Sequence, residues 1–296
     1  MVLVVFLLAY LLRRRLDTLD HLSGDRFWLR WFHKAAKVEA GQEQSLRSGL
    51  VLIVLPALLL GVVVYFLQSY RLGLLVYPLE LLVLVLLMGA PGWRHTLRVY
   101  AEAWRRGDMQ AAWHHVQHRL PAEDRGAALS PDAMHLALSR AFMHAMFQRF
   151  FLIAFWYVVG GIGLAVLVRG LVALSEQWPQ AAARPGFRRL EEVMAWIPVR
   201  LLSMTFGIAG DLSGWLREIR TGHHDGKKSS DDILMFSANG SLTGYALDPE
   251  RFSRIHPNEW VDFGGRSLSA IRDLLNRSML VWICLMALLV ISGWTI

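Results

Sequence analysis

Long apolar runs alternate with polar, basic stretches along the chain. A helix of about 20 apolar residues is long enough to cross the roughly 30 Å hydrocarbon core of a bilayer. From this pattern we predict an all-α integral membrane protein with a single membrane domain over residues 1–296. Its membrane segments are predicted at 2–16, 49–67, 72–90, 151–173, 193–210 and 279–294. Segment 193–210 either crosses the membrane or is re-entrant.

The stretches between these runs are amphipathic. Regions 13–48, 91–150 and 211–278 repeat apolar residues at helical spacing among Arg, Lys and His. The first of them has an aromatic cluster between positions 27 and 32, which is typical of a helix lying in the membrane interface. We therefore predict cytoplasmic amphipathic helices that pack on the membrane part.

Segments 49–67 and 72–90 are joined by only four residues, Gln68 to Arg71. So short a connection forces a transmembrane hairpin. Eight Lys or Arg residues lie in 13–47 and eight in 91–150, whereas the tip carries only Arg71. Because basic residues collect on the cytoplasmic side, we predict cytoplasmic flanks and a periplasmic or extracellular tip.

Glycines interrupt the middle of segment 151–173. Gly160 and Gly161 fall at mid-bilayer depth, where they permit either close packing of another helix or a break in their own helix. Two topologies follow. In the first, this segment exits the membrane and 193–209 returns. In the second, the segment is re-entrant and the chain up to Arg277 stays cytoplasmic. We favour the second, because carboxylates and arginines beside the bilayer resemble an inner-face site.

The composition agrees with a membrane protein and argues against other classes. Apolar residues make up 54% of the chain and the mean hydropathy is +0.35, which is too apolar for an ordinary soluble domain. The aromatic residues lie in or beside the apolar runs, so the net charge of +7 does not indicate a nucleic-acid-binding face. Cys284 is the single cysteine, which excludes an intrachain disulfide and a cysteine-based metal site.

The strongest polar cluster in the sequence combines Glu191 and Glu192 with Arg188, Arg189 and Arg200. Adjacent helical residues point about 100° apart, so one carboxylate could hold a divalent cation such as Mg²⁺ while the other pairs with arginine. The alternative is a charged first helical turn, in which the acids complement the positive end of the helix dipole. The pattern alone favours this alternative.

Arg200 and Asp211 are eleven residues apart, almost three helical turns. Both would face the same side if the helix runs unbroken through Gly207 and Gly210, and they could then bracket an anionic ligand and a cation. The alternative is that Arg200 extends to the membrane surface and Asp211 is solvated.

Glu80 lies eight residues into its apolar segment, near mid-bilayer depth. An ionisable group at that depth is a functional candidate, because its burial is costly unless it is protonated or paired. The alternative is a shifted segment that places Glu80 closer to the interface.

Several common signatures do not occur in the sequence. It contains no G-x-x-x-x-G-K-[ST], no H-E-x-x-H and no G-x-S-x-G. His114 and His118 are one helical turn apart, but no acidic or cysteine ligand has matching spacing, so the histidines are interpreted as solvated or packed.

The stretch from 149 to 201 resembles the AmpE family. The residues that carry the resemblance are Arg149-Phe150-Phe151, Phe155-Trp156, Gly160-Gly161, Arg169 and Trp196-Ile197-Pro198-Val199-Arg200-Leu201. AmpE proteins are bacterial inner-membrane proteins linked to β-lactamase induction and cell-wall recycling, and they belong with the cobalamin-biosynthesis proteins CobD and CbiB. The resemblance implies a structural role for Phe155, Trp156, Gly160, Gly161, Trp196 and Pro198. It leaves Glu191, Glu192, Arg200, Asp211 and Arg169 as candidate ligand-binding residues.

The chain departs from the cobalamin branch at three points. The acidic pair is Glu191-Glu192 rather than two aspartates, Ala195 replaces an expected Asn, and residues 171–177 lack an Asn-Thr-x-Asp element. These differences favour the AmpE branch over an ATP-dependent amide-forming activity.

Three functional hypotheses remain at this stage. The first is an AmpE-like, multi-pass inner-membrane modulator of envelope signalling, with the lipid bilayer and other envelope or cell-wall-recycling proteins as partners and no established catalysis. The second is a membrane ligase similar to CobD and CbiB, which would use Mg-ATP with Glu191 and Glu192 on the metal and Arg200 on the phosphate or acid. The third is a small transporter that uses Glu80.

Overall fold

The computed structural model of the chain describes residues 2–17, 25–35, 45–70, 73–121, 125, 130–221, 229–242 and 246–293. All regular elements in these ranges are helical, so the predicted all-α fold is confirmed. Parts of the predicted regions 13–48, 91–150 and 211–278, and the end of segment 279–294, lie outside the described residues. The helices are α1 (Val2–Leu16), α2 (Asp25–Ala35), α3 (Arg47–Ser69), α4 (Gly73–Leu87), α5 (Trp93–Arg105), α6 (Met109–Val116), α7 (Pro131–Met146), α8 (Leu152–Gln177), α9 (Arg184–Ala209), α10 (Leu212–Thr221), α11 (Ser230–Ser241), α12 (Pro249–Ile255) and α13 (Trp260–Ile291).

Four helical stretches in the described part of the chain are long and apolar enough to cross a membrane. They are Arg47–Ser69, Pro131–Gln177, Ala181–Ala209 and Pro257–Ile291, and the shorter apolar helix Gly73–Leu87 accompanies them. The protein is therefore a membrane protein. The detailed boundaries of the membrane segments stay predictions.

The chain folds into two compact units. The first contains Met1–Pro91, Gln148–Pro198 and Ile283–Ile296, and the second contains Gly92–Phe147 and Val199–Trp282. The candidate residues of the first unit come from the end of α1, from α4, from the helical turn at 148–151 that leads into α8, from α8 and from the first part of α9.

In the first unit, α3 packs closely against α8. A side-chain carbon added at Gly163 would lie 3.2 Å from the carbonyl oxygen of Ala57 on α3. The absence of a side chain at Gly163 thus brings the two backbones together, which is how small residues pack membrane helices.

Helix α8 is a hairpin with two limbs, not a rod. Gly160 has φ −141° and ψ 20°, and Gly161 has φ 68° and ψ −169°, so neither is helical. The side chains of Arg149 and Glu176 come within 3.6 Å of each other. This approach shows that the limbs 152–159 and 162–177 double back on each other. A straight helix would separate those two residues by about 40 Å. The glycines predicted to allow either a break or close packing do both, with the break at Gly160-Gly161 and the close contact at Gly163.

The part of each limb between the break and the Arg149–Glu176 ion pair is shorter than a bilayer core. About 12 residues separate Arg149 from the break, which is roughly 18 Å of helix, compared with a hydrocarbon core of about 30 Å. This length is consistent with the re-entrant alternative, and the membrane topology of 151–210 stays a prediction.

The second unit is built around Trp104 on α5. Its indole ring packs against His135, Trp260 and Phe263, and its Nε1 donates to the carbonyl oxygen of Trp260 at 3.2 Å. His135 is fully buried between the Tyr100 hydroxyl at 3.1 Å and the Ser267 hydroxyl at 2.9 Å. This histidine is a packed one, as the sequence indicated.

Candidate functional site

The open end of the α8 hairpin is held by a group of polar side chains that we call the closing cluster: Gln148, Arg149, Ser175, Glu176 and Glu191. Glu191 is at its centre and is only 5% exposed. Its Oε1 accepts a hydrogen bond from Gln148 Nε2, and its Oε2 accepts one from Ser175 Oγ at 2.5 Å. One carboxylate on α9 thus bridges the start of the first limb and the end of the second.

One arginine pairs within this cluster and a second is buried in the same limb. Arg149 forms the ion pair with Glu176 described above. Arg169, which the family motif includes, lies on the limb 162–177 and is 1% exposed. It is seven residues before Glu176, so both project from the same side of that limb. A guanidinium buried to this degree belongs to the interior of the fold and does not face solvent.

A second polar contact ties α1 to the end of α4. Arg13 is 1% exposed, and its guanidinium donates to Asp17 Oδ1 at 2.9 Å and to the carbonyl oxygen of Val85 at 3.3 Å. Asp17 Oδ2 accepts the backbone N–H of Ala90 at 3.1 Å. The side chain of Arg13 can lie there because Gly89 has φ +108° and no side chain, and a carbon at that position would collide with the guanidinium.

Asp17 also lies within electrostatic range of the closing cluster. Burial raises the pKa of the Asp17 carboxyl above its usual value, although Arg13 and Arg149 act to lower that pKa. The α1–α4 contact and the closing cluster are therefore neighbours in one polar region of the first unit.

The aromatic and proline residues of the family motif form a single physical arrangement. Pro198 lies inside α9 and has no N–H, so the carbonyl oxygen of Met194, four residues earlier, has no helical donor. Trp156 Nε1 donates to that oxygen at 3.1 Å. Trp156, on the first limb of the hairpin, thus supplies the hydrogen-bond donor that Pro198 lacks. This gives a physical reason for Trp156 and Pro198 to occur together.

Glu80 has a partner on the hairpin. It is 9% exposed on α4, and its Oε2 accepts a hydrogen bond from the Tyr157 hydroxyl at 2.8 Å. Tyr157 lies three residues before the break at Gly160. The carboxyl predicted to be costly unless paired is therefore paired, deep in the first unit, and faces protein.

The other candidate residues are placed differently from one another. Glu192 is exposed and Glu191 is buried, which agrees with the 100° between neighbouring helical positions. Phe155 is half-buried and meets Trp156 edge to face, whereas Trp196 is 54% exposed. Pro198 is buried.

Arg200 and Asp211 do not share a helical face, because the condition of an unbroken helix is not met: α9 ends at Ala209. Both residues belong to the second unit. The backbone N–H of Asp211 donates to the carbonyl oxygen of Ser241 at 2.9 Å, and its carboxylate accepts the N–H of Ser213 at 2.9 Å. Asp211 therefore begins α10, and the predicted bracket with Arg200 is not formed along one helix.

The described residues contain no group of three or more His, Cys, Asp or Glu side chains arranged to hold a metal ion. Glu191 and Glu192 thus gain no further carboxylate or imidazole ligand in these ranges. Both oxygens of Glu191 already accept hydrogen bonds from Gln148 and Ser175. Binding of Mg-ATP stays a prediction.

Sequence reasoning missed four of the residues that matter here: Arg13, Gln148, Tyr157 and Ser175. Arg13 was counted only as one of the eight basic residues in 13–47. Gln148 directly precedes the Arg-Phe-Phe motif, and Tyr157 directly follows Phe-Trp, so the motif boundaries were the available signal. Ser175 had no signal in the sequence, because its partner is brought to it by the fold.

The sequence model of the AmpE family, described as "Regulatory signalling modulator protein AmpE", matches residues 1–243. This range includes α1 to α11 and every candidate residue discussed above. No curated protein and no solved structure matches the chain.

Proposed function

We propose that this chain, which belongs to the AmpE family of regulatory signalling modulators, acts in the inner membrane of a bacterium. Its proposed role there is that of a multi-pass modulator of β-lactamase induction. Other envelope or cell-wall-recycling proteins are its proposed partners. The family match over residues 1–243 supports the signalling role, and the four apolar helices support the membrane location.

The excess of basic residues on both flanks of the α3–α4 pair supports an inner-membrane orientation with those flanks in the cytoplasm. The closing cluster then lies on the cytoplasmic side, since it is near the start of α3. Leu46, which directly precedes α3, contacts Gly186, five residues before Glu191. A cytoplasmic signalling partner would meet the protein at this end.

The observation that carries the proposal furthest is the bridging role of Glu191. A single buried carboxylate joins the two ends of the hairpin, whereas the neighbouring Glu192 is exposed and takes no part in that bridge. We propose that the closed hairpin is the signalling-competent form and that Glu191 keeps it closed. The role of the cluster in this proposal is conformational.

The test uses a bacterium with an inducible β-lactamase in which the chromosomal gene for this protein is deleted and replaced. Four strains are compared after exposure to a β-lactam: wild type, deletion, Glu191→Ala and Glu192→Ala. β-Lactamase activity is measured, and the amount of membrane-bound protein is checked by immunoblot. We expect the deletion and Glu191→Ala to change induction in the same direction and Glu192→Ala to resemble wild type.

Equal induction in the wild-type and deletion strains would reject the signalling role. If the deletion changes induction but Glu191→Ala does not, at equal protein level, the role of the closing cluster is rejected and the family function stands. Fractionation of the wild-type strain tests the location separately, because the protein must sediment with inner-membrane markers.

A further inference from the structure

Helix α2 has three distinct sides. Its buried side consists of Trp28, 5% exposed, and Phe32, fully buried. Arg26, Arg30 and Lys34 recur every fourth residue on the opposite side, and all three are exposed. Between these sides, Phe27 and Trp31 remain 62% and 38% exposed. Their rings stack with centroids 6.3 Å apart.

The buried side fixes α2 to the first unit. Phe32 meets Trp178 edge to face, with ring centroids 5.6 Å apart. The ring of Trp28 approaches Gly170 so closely that an added side-chain carbon there would lie 3.2 Å from it and 2.8 Å from Ile53. The helix is thus held against both α3 and α8.

Trp31 gives a further contact with α3. Pro56 has no N–H, so the carbonyl oxygen of Leu52, four residues earlier, lacks its helical donor. Trp31 Nε1 donates to that oxygen at 3.4 Å. This is the arrangement already seen between Trp156 and Met194, and it fixes how deep α2 lies along α3.

Two positions define that depth. Leu52 lies five residues after the start of α3 at Arg47, about 8 Å along the helix axis. Gly170 lies seven residues before the end of α8 at Gln177, about 10 Å along its limb. Amphipathic helices at a membrane surface place their apolar side about 5–10 Å into the boundary between headgroups and acyl chains.

The surface of α3 beside its contact with α2 also indicates that lipid surrounds this part of the protein. Val51 and Leu55, on either side of Leu52, are both 59% exposed. The stacked Phe27 and Trp31 therefore continue the apolar surface that α3 presents to the bilayer. Among the residues whose side chains the structure describes, no acidic side chain pairs with Arg26, Arg30 or Lys34.

We infer that α2 is a binding site for anionic phospholipid, with Phe27 and Trp31 inserted among the acyl chains and Arg26, Arg30 and Lys34 on the phosphate headgroups. Long basic side chains at this depth reach the headgroups while their stems stay in apolar surroundings. The site lies on the leaflet in which α3 begins. It does not depend on the proposed signalling role.

The test is native mass spectrometry of the full-length protein in detergent, titrated with phosphatidylglycerol or with phosphatidylcholine of the same acyl chains. The neutral variant is Arg26→Gln/Arg30→Gln/Lys34→Gln. A matched control, Arg98→Gln/Arg105→Gln/Arg106→Gln, removes the same number of exposed charges at α5. We expect wild type and control to prefer phosphatidylglycerol, and the neutral variant to lose about fivefold in affinity for it per charge removed.

Two other variants separate the charged and apolar contributions. Arg26→Lys/Arg30→Lys keeps the charges and should keep the preference, whereas Phe27→Ala/Trp31→Ala should weaken binding of both lipids equally. Single Arg30→Gln serves in place of the neutral variant if the latter does not fold. Equal binding of the two lipids by wild type, or an equal loss in the control, would overturn the inference.

Discussion

Helices α3 and α8 are both long apolar helices, but α3 runs on as one helix through Pro56 whereas α8 turns back at Gly160-Gly161. Proline is the stronger helix breaker by intrinsic propensity. In α3, however, Trp31 donates to the carbonyl oxygen that Pro56 leaves without a helical donor. In α9, Trp156 donates in the same way to the carbonyl oxygen that Pro198 leaves without a donor. A defect with a replacement donor does not end a helix.

The surroundings of the two helices differ as well. The most apolar stretch of α3 is 11% buried against protein, whereas that of the stretch containing α8 is 50% buried. Irregular backbone at membrane depth requires cover by protein or water. Tyr157, three residues before the break, reaches Glu80 on α4, whereas Gly160 itself is exposed. Apolar length therefore shows that a segment enters the membrane, but not whether it crosses.

The largest effect is expected from removing the carboxylate that joins the hairpin ends. Glu191→Ala leaves the Gln148 amide and the Ser175 hydroxyl without their acceptor. Hydrogen bonds to a charged group contribute about 1.5–3 kcal/mol each, so we expect a loss of about 3 kcal/mol in unfolding free energy. Thermal unfolding in detergent measures it. Glu192→Ala is the control and should leave the melting temperature nearly unchanged, and an equal loss in both variants would contradict the bridging role of Glu191.

The next effect concerns the break itself. Gly161 has φ 68° and ψ −169°, which a residue with a side chain adopts only with strain, so Gly161→Val should destabilise the protein by about 1–3 kcal/mol. Gly61→Ala in α3 is the matched control, because an added carbon there meets no atom within 4 Å. It should be neutral or slightly stabilising, as in any helix interior. Tolerance of Val at 161 would show that α8 is straight.

A smaller effect tests the repair of proline defects. Trp156→Phe removes the donor to Met194 and should cost about 1 kcal/mol. Pro198→Ala restores a backbone N–H to the same oxygen, so Trp156→Phe should cost less in the Pro198→Ala background. A double-mutant cycle on unfolding free energy measures this coupling. Strict additivity would mean that the indole N–H does not substitute for the missing backbone donor.

The smallest effect is expected at the edge of the closing cluster. Glu176 is 38% exposed, so its ion pair with Arg149 is largely screened by solvent. Glu176→Gln should lower unfolding free energy by no more than about 0.5 kcal/mol, and this loss should shrink as salt is added. A loss as large as that of Glu191→Ala would place the centre of the cluster at Glu176.

Much of the architecture could be predicted from periodicity. The apolar runs indicated an all-α membrane protein, and the glycine pair indicated a break or a close contact, because these depend on residues close in sequence. The closing cluster could not be predicted. Gln148, Ser175 and Glu191 are brought together by the fold, and no local pattern relates them.

Two placements have local physical causes. Arg13 was counted only among the basic residues of 13–47, but Gly89 leaves room for its guanidinium against the carbonyl oxygen of Val85. Arg200 and Asp211 would share a face only on an unbroken helix, but Asp211 accepts the N–H of Ser213 and directly precedes α10. The residues Asp-Leu-Ser at 211–213 were a readable helix start in the sequence.

The most direct test of the hairpin is a distance between its ends. Arg149→Cys and Glu176→Cys are introduced together in a Cys284→Ser background, which removes the single native cysteine, and both carry spin labels. These substitutions remove the weak ion pair between 149 and 176, but the hydrogen bonds of Glu191 still hold the two ends of the hairpin together. Pulsed electron paramagnetic resonance on the protein in lipid nanodiscs should give a distance well under 25 Å, whereas about 40 Å, the length of a continuous helix, would contradict the hairpin.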